Sequence, residues 1–137
     1  MAFDFNNFLE EKRTWYNNVD KVFCPILNQW VIFNSKGFRH LRYDEHGKAR
    51  LTREQIYKLR LLPLVIPVIK NATTVFDYKK QEYSKPLGKY FEIWQLKEIM
   101  GKKKPTIVSV ILRRIGDGHI TFLSVYDEKI KTKKPSR

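Results

Sequence analysis

The chain holds one cysteine, Cys24, in 137 residues, which excludes an internal disulfide and most cysteine-based metal sites. Flanked by Val22, Phe23 and Pro25, Cys24 reads as a small core residue. Histidine is nearly as scarce. His40, His46 and His119 are scattered, and no paired carboxylates stand at ligand spacing, so no metal and no cofactor is expected. Long apolar runs are missing too. The longest, Leu61 to Ile69, carries Pro63 and Pro67 and falls far short of a membrane span. Met1 to Leu9 lacks the cationic start and apolar run of a secretory signal, giving an expected cytoplasmic site of action with the delivery route left open. No Gly-rich loop follows a strand and opens a helix, no nucleophile-elbow sequence occurs, and there is no internal repeat.

Acidic residues are the other shortage. There are 14 Asp and Glu against 27 Lys and Arg, a formal net charge of +13. Nearly all of the excess lies beyond residue 40, and such a basic body suits a polyanion, most simply a nucleic acid, or an acidic protein. With 42% apolar and 14% aromatic residues the chain can bury a core. Its length fits one domain over 1–137. The expected parts are a helical N-terminal segment (1–29), a core (30–128) and a frayed basic tail (129–137).

Phe3 to Val19 places Phe5, Phe8, Leu9, Trp15, Tyr16 and Val19 along one helical face, with Asp4 as its cap. Phe23 to Asn34 reads as one or two strands, and Phe38 to Tyr43 as a short helix or turn. Thr52-Arg-Glu-Gln55 reads as a capping box. The helix it opens should kink or break at Pro63 and Pro67. Then the period changes to two: Thr74–Tyr78 and Tyr90–Leu96 read as strands around a Lys-rich loop, 79–89. Thr106 to Tyr126 reads as a hairpin turning at Gly116-Asp117-Gly118. The expected fold class is α+β, with N-terminal helices packed on a twisted antiparallel sheet of about four strands that ends in a β-hairpin.

Hairpin register decides which groups share a face. An even loop groups Val108, Val110 and Leu112 with Leu123 and Val125 on a core face. Ser109, Ile111 and Arg113 then share the other face with Phe122, Ser124 and Tyr126, while Arg114 and Thr121 lie toward the opposite face. An odd loop buries the hydroxyls of Ser124 and Tyr126 among valines, which is costly, so the even register is expected. The N-terminal helix could cover part of the outer face and leave a cleft beside Arg113.

Metal-free RNA cleavage needs a base for the ribose 2′-OH, an acid for the leaving 5′-oxygen and cations around the phosphorus. Arg39-His40-Leu41-Arg42 supplies an imidazole between two guanidiniums, followed by His46, Lys48 and Arg50. His46 and His119 also read as ordinary turn residues beside glycine.

The early His40 after a strand, the helix running into Leu61-Leu-Pro-Leu-Val-Ile-Pro-Val-Ile69, and the closing Phe122-Leu-Ser-Val-Tyr126 together resemble the toxin ribonucleases related to barnase, EndoU, colicin D and RelE. The resemblance is in particular to the phage-associated group, and it covers roughly residues 30–128. It implies metal-independent cleavage of tRNA or ribosome-associated RNA, leaving a 2′,3′-cyclic phosphate. In that reading His40 is the acid or base, Arg113 stabilises the phosphate, and Ser124 and Tyr126 orient it or assist proton transfer. Arg39, Arg42, Lys48, Arg114, His119 and Thr121 would bind RNA. An acidic inhibitor or immunity protein is the implied protein partner. Two other classes stay open: a non-catalytic RNA- or DNA-binding module, with Tyr78 and Tyr90 for stacking, and a phage-type protein-interaction domain.

Overall fold

The computed structural model describes residues 2–86 and 88–130. Asp4 caps helix α1 (Phe5–Val19), accepting from the amide of Asn7 at 3.2 Å. A hairpin follows, β1 (Lys21–Cys24) and β2 (Gln29–Ile32), and then α2 (Ser35–Arg42), capped by the Asn34 side chain. Helix α3 (Thr52–Leu61) runs into a 3-10 turn at Leu62–Leu64 and then α4 (Val65–Asn71). The break falls at Pro63, where the ring removes an amide donor. Strands β3 (Asp77–Ser84), β4 (Lys89–Met100), β5 (Thr106–Ile115) and β6 (Ile120–Lys129) complete the described chain.

The α+β class holds; the sheet is larger than expected. It has six strands in the order β1-β2-β6-β5-β4-β3. The expected four-strand antiparallel meander is present as β3 to β6, but β2 joins β6 in parallel, making the sheet mixed. The segment 1–29 is therefore not all helical, since β1 forms one edge of the sheet. The stretch 79–89, expected as a loop, is largely strand: β3 begins at Asp77 and runs to Ser84. The tail beyond Ile130 lies outside the described residues.

The capping box at Thr52 does not form. Leu51 occupies the cap position, and Gln55 is buried with its amide donating to the Arg50 carbonyl at 2.8 Å. Arg42 Nε donates to Gln55 Oε1 at 3.2 Å. A small turn closed by the Tyr43–Ala49 bridge, with Arg50 N donating to Arg42 O, fixes the chain before α3 and takes Gln55 into its own bonding.

One sheet face is dry. Val22, Val31, Ile120, Phe122, Leu112, Val110 and Leu96 are buried on it under the helices. Tyr16 of α1 packs against Phe33, Phe38 and Phe122 and donates to the Asn34 carbonyl at 2.6 Å. Val65, Val68 and Ile69 of α4 are fully buried, and that helix packs on β1, β4 and β5. Helix α1 thus covers the core face and not the outer one. The opposite face is open: among the described residues of β4 to β6 on it, only Ser109 is buried, beneath Gln95 and Tyr126.

The hairpin of β5 and β6 uses both registers. Near its turn Arg114, Arg113 and Leu112 pair with Ile120, Thr121 and Phe122, as an odd loop requires. A bulge then leaves Leu123 unpaired, and Ile111, Val110 and Ser109 pair with Ser124, Val125 and Tyr126, as an even loop requires. The extra residue switches the alternation. Phe122 consequently faces the core instead of the outer face. Thr121 stands across from Arg113 instead of on the other side.

Candidate functional site

Arg113, Ser124 and Tyr126 share the open face, as expected. Paired rows on one face lie about 7 Å apart along a strand. Ser124 is one row from Arg113 and Tyr126 two, by the register of β5 and β6. The Tyr126 hydroxyl accepts from Gln95 Nε2, which also reaches Ser109 Oγ at 3.4 Å. The phenol keeps its own proton to donate.

His40 comes into the neighbourhood of Arg113 because of where α2 is seated. Strand β2 pairs with β6 only at Ile120 and Thr121, so β6 loses its strand neighbour beyond that point. Helix α2 fills the gap, with Gly37 against Phe122. Its buried side is Phe38 and Leu41, which leaves His40 half-exposed and close enough to Arg113 to feel its charge. There its pKa is held below the ordinary 6.5, first by burial and then by the charges of Arg113, Arg50, Arg39 and Lys36. An imidazole so placed is neutral at pH 7 and can accept a proton. It also lines a cleft of about 250 Å³ with Lys36, Arg39, Tyr43, Asp44, Glu45 and Gly47.

Arg113 is the least satisfied group in the neighbourhood. Its Nε is buried and, among the described residues, has no hydrogen-bond partner; burial also pushes the guanidinium pKa down. No carboxylate stands within ion-pair distance of Arg113 or His40 among the described residues. A cation left without an anion is costly unless a ligand supplies one.

The remaining expected residues divide. Arg39 is exposed over the Tyr43 ring, 4.5 Å from its centroid, and lines the cleft with His40. Thr121 Oγ1 donates to the Arg113 carbonyl at 3.2 Å, which ties the two strands directly beneath the guanidinium. Arg42 is engaged with Gln55. Lys48 is exposed in the turn where Asp44 accepts the amides of His46 and Lys48. His119 is exposed at the β5–β6 turn. Arg114 is on the other face, ion-paired with Glu92 and 5.7 Å from the Trp94 ring centroid. A cavity of about 750 Å³ at that end is lined by Lys89 to Glu92 and Arg114 to Gly118, and it contains no histidine. His40 lines the smaller cleft instead.

No family model, curated protein or solved structure matches this chain.

Arg50, which the residue pattern names only as following the Arg39–Arg42 run, stands with His40. Its Nε donates to the His40 carbonyl at 3.0 Å, and its charge acts on the imidazole. The signal for it was the turn Asp44 to Lys48, which folds the chain back so that Arg50 returns to α2. Among the described residues no group of three or more His, Cys, Asp or Glu stands together as metal ligands would, and no helix is long and apolar enough to cross a membrane.

Proposed function

We propose that this protein is a metal-independent endoribonuclease of the toxin type, cutting RNA to leave a 2′,3′-cyclic phosphate. The observation that carries the reading is His40 held neutral beside Arg113, whose buried Nε has no partner of its own. In this reading His40 removes the ribose 2′ proton, and the 2′-oxygen attacks phosphorus. The bond from phosphorus to the 5′-oxygen breaks, and that oxygen takes its proton from water, while Tyr126, two rows from Arg113 and bonded to Gln95, contacts the adjoining stretch of RNA. Arg113, with Arg50 and Arg39 nearby, holds the phosphate as its charge grows. Ser124, between Arg113 and Tyr126 on the same face, orients a non-bridging oxygen. Lys48, exposed near the cleft, contacts flanking backbone by charge alone, and His119, at the far turn, lies where the flanking chain would pass.

The same cationic neighbourhood explains the change in His40 over a turnover. Bound phosphate neutralises Arg113 and Arg39, so the imidazole becomes a stronger base once substrate is in place. The basic surface also suits an acidic protein inhibitor, the partner such an enzyme needs in the cell that makes it.

The test is incubation of purified protein with total RNA in EDTA, followed by analysis of the ends. Cyclic phosphates from wild type, lost in His40→Ala and Arg113→Ala variants that still fold, are the expected result. Intact RNA with binding that weakens steeply with salt would leave a non-catalytic binding module. Absence of any RNA affinity would leave a protein-interaction domain.

A further inference from the structure

Strand alternation puts Val31 of β2 in the core, fully buried, and so turns Trp30 outward, half exposed at 50%. The register tells which outward surface it joins. Ile32 pairs with Thr121, and Thr121 pairs with Arg113, so these three form one row across the open face. Trp30 precedes Ile32 by two residues and therefore shares that face, one row further toward the β5–β6 turn. Lys21 and Phe23 of β1 pair with Ile32 and Trp30 and share it too. Two strand spacings and one row put Trp30 about 12 Å from Arg113 along the sheet.

The local contacts are unusual for an indole that merely fills surface. The Phe23 ring meets Trp30 edge-on, centroids 5.3 Å apart, which fixes the indole upright. The Lys21 ammonium stands 4.7 Å from the Trp30 centroid and, among the described residues, has no carboxylate partner. An ammonium resting on an aromatic face can exchange that contact for a phosphate when a base takes its place on the ring. The core needs no tryptophan at position 30, because Val31 faces it. The occupant must present both a flat π-surface and negative charge, and in a chain of net charge +13 a single-stranded nucleic acid meets both conditions.

We propose that Trp30, steadied by Phe23 and served by Lys21, is a base-stacking subsite for single-stranded RNA beside the Arg113 phosphate site. The proposal rests on the reading that Arg113 receives a phosphate, but not on cleavage. It makes the substrate an unpaired segment, such as a loop, because a base inside a duplex cannot reach the indole.

Binding is measured in the His40→Ala background, where RNA stays whole, by fluorescence anisotropy of a labelled single-stranded oligonucleotide and of its duplex. Trp30→Ala should weaken the single strand by about ten-fold, within a range of about five- to one-hundred-fold, and leave the duplex unchanged. Trp30→Phe should keep most of the affinity. Intrinsic fluorescence gives a second reading: RNA should quench tryptophan emission, and Trp30→Phe should abolish the quench, since Trp94 is buried and Trp15 packs against the core. Thermal melting by circular dichroism checks that each variant folds. Unchanged single-strand affinity in Trp30→Ala overturns the subsite. So does an equal loss on duplex, or no oligonucleotide binding at low salt, which would leave the face to a protein. Wild type that binds through Trp30 yet leaves RNA intact sinks the ribonuclease reading and keeps the subsite. Cleavage with single-strand affinity indifferent to Trp30 does the reverse.

Discussion

A Cβ atom built on Gly37 of α2 would stand 2.5 Å from the carbonyl oxygen of Phe122 on β6. This contact is where the helix takes over the edge that β2 gives up. It also fixes the position of His40, one turn further along α2. Alanine would be favoured over glycine inside a helix by about 1 kcal/mol. Here the added methyl meets backbone, the Tyr16 hydroxyl at 2.5 Å and the Phe122 ring at 2.9 Å, all of them buried. Overpacking of that kind costs about 1–3 kcal/mol, so the clash wins. Gly37→Ala should lower the unfolding free energy by a net amount of up to ~2 kcal/mol, seen as a lower urea midpoint, and reduce RNA cleavage at least ten-fold in protein that is still folded. An unchanged midpoint would show that α2 is not seated there.

Arg113 predicts an opposition between stability and function. Its orphaned Nε costs about 1 kcal/mol in lost solvation, moderated because the side chain is only half-buried. Methionine keeps the apolar stem and removes the donor and the charge. Arg113→Met should therefore unfold at the same or a higher temperature, its unfolding free energy raised by up to about 1 kcal/mol, while cleavage falls by about 10²–10³. Calorimetry beside an RNA-cleavage assay separates the two effects. If Arg113→Met lost stability along with activity, the guanidinium would be a packing group and not a waiting ligand site.

The pH dependence follows from His40. Its folded pKa lies below the ordinary 6.5 because of burial and four neighbouring cations. Between the folded value and 6.5 the unfolded chain binds the extra proton, so stability rises with pH across that window. The contribution is complete above about pH 6.5 and is lost as pH falls toward the folded pKa. His40→Ala should flatten this slope in urea unfolding followed on both sides of pH 6.5. The acid limb of kcat/KM should also lie below 6.5 in wild type and move up toward it in Arg113→Met or Arg50→Gln, as repulsion is removed. A limb that stays put in both variants would mean that another group titrates.

Much of this arrangement could be read from residues alone, and the failures have physical causes. The helix of Phe5–Val19, the break at Pro63 and strands β4 to β6 announced themselves by period or by proline chemistry, whereas β3 did not: of the expected strand Thr74–Tyr78 only Asp77 and Tyr78 are strand. The grouping of Arg113 with Ser124 and Tyr126 on one face was legible because Val108, Val110 and Leu112 alternate with Ser109, Ile111 and Arg113, and Ser124 and Tyr126 flank Val125. The bulge at Leu123 was not legible, since no glycine or polar residue marks it; it is fixed by Leu112 and Phe122 both seeking the core. The parallel pairing of β2 with β6 is a contact across about ninety residues, which no local pattern encodes. It is also what brings Trp30 to the site. Thr52 misled because the capping box competes with Arg42 and Arg50 for Gln55, and tertiary bonding won.

The last prediction concerns the rest of the edge that β2 abandons. Beyond α2, helix α3 covers it with side chains in place of a strand. Lys58 Nζ donates to the Val125 carbonyl at 3.1 Å, and the Tyr57 hydroxyl accepts from the Asp127 amide at 2.9 Å while donating to Asp127 oxygens. Tyrosine thus imitates a neighbouring strand, offering both an acceptor and a donor to one residue. Tyr57→Phe removes both, and the Asp127 amide must turn to water, which it can do because Tyr57 is 40% exposed. The cost should be small, about 0.5–1.5 kcal/mol in urea unfolding. The local effect should be larger: hydrogen exchange at the Asp127 amide should speed up more than at Val110 or Leu112, in the middle of the sheet. An unpaired edge also invites pairing with another chain, so Tyr57→Phe should self-associate more than wild type in sedimentation runs at matched concentration. Equal exchange at Asp127 in both proteins would show that the hydroxyl does not hold this edge.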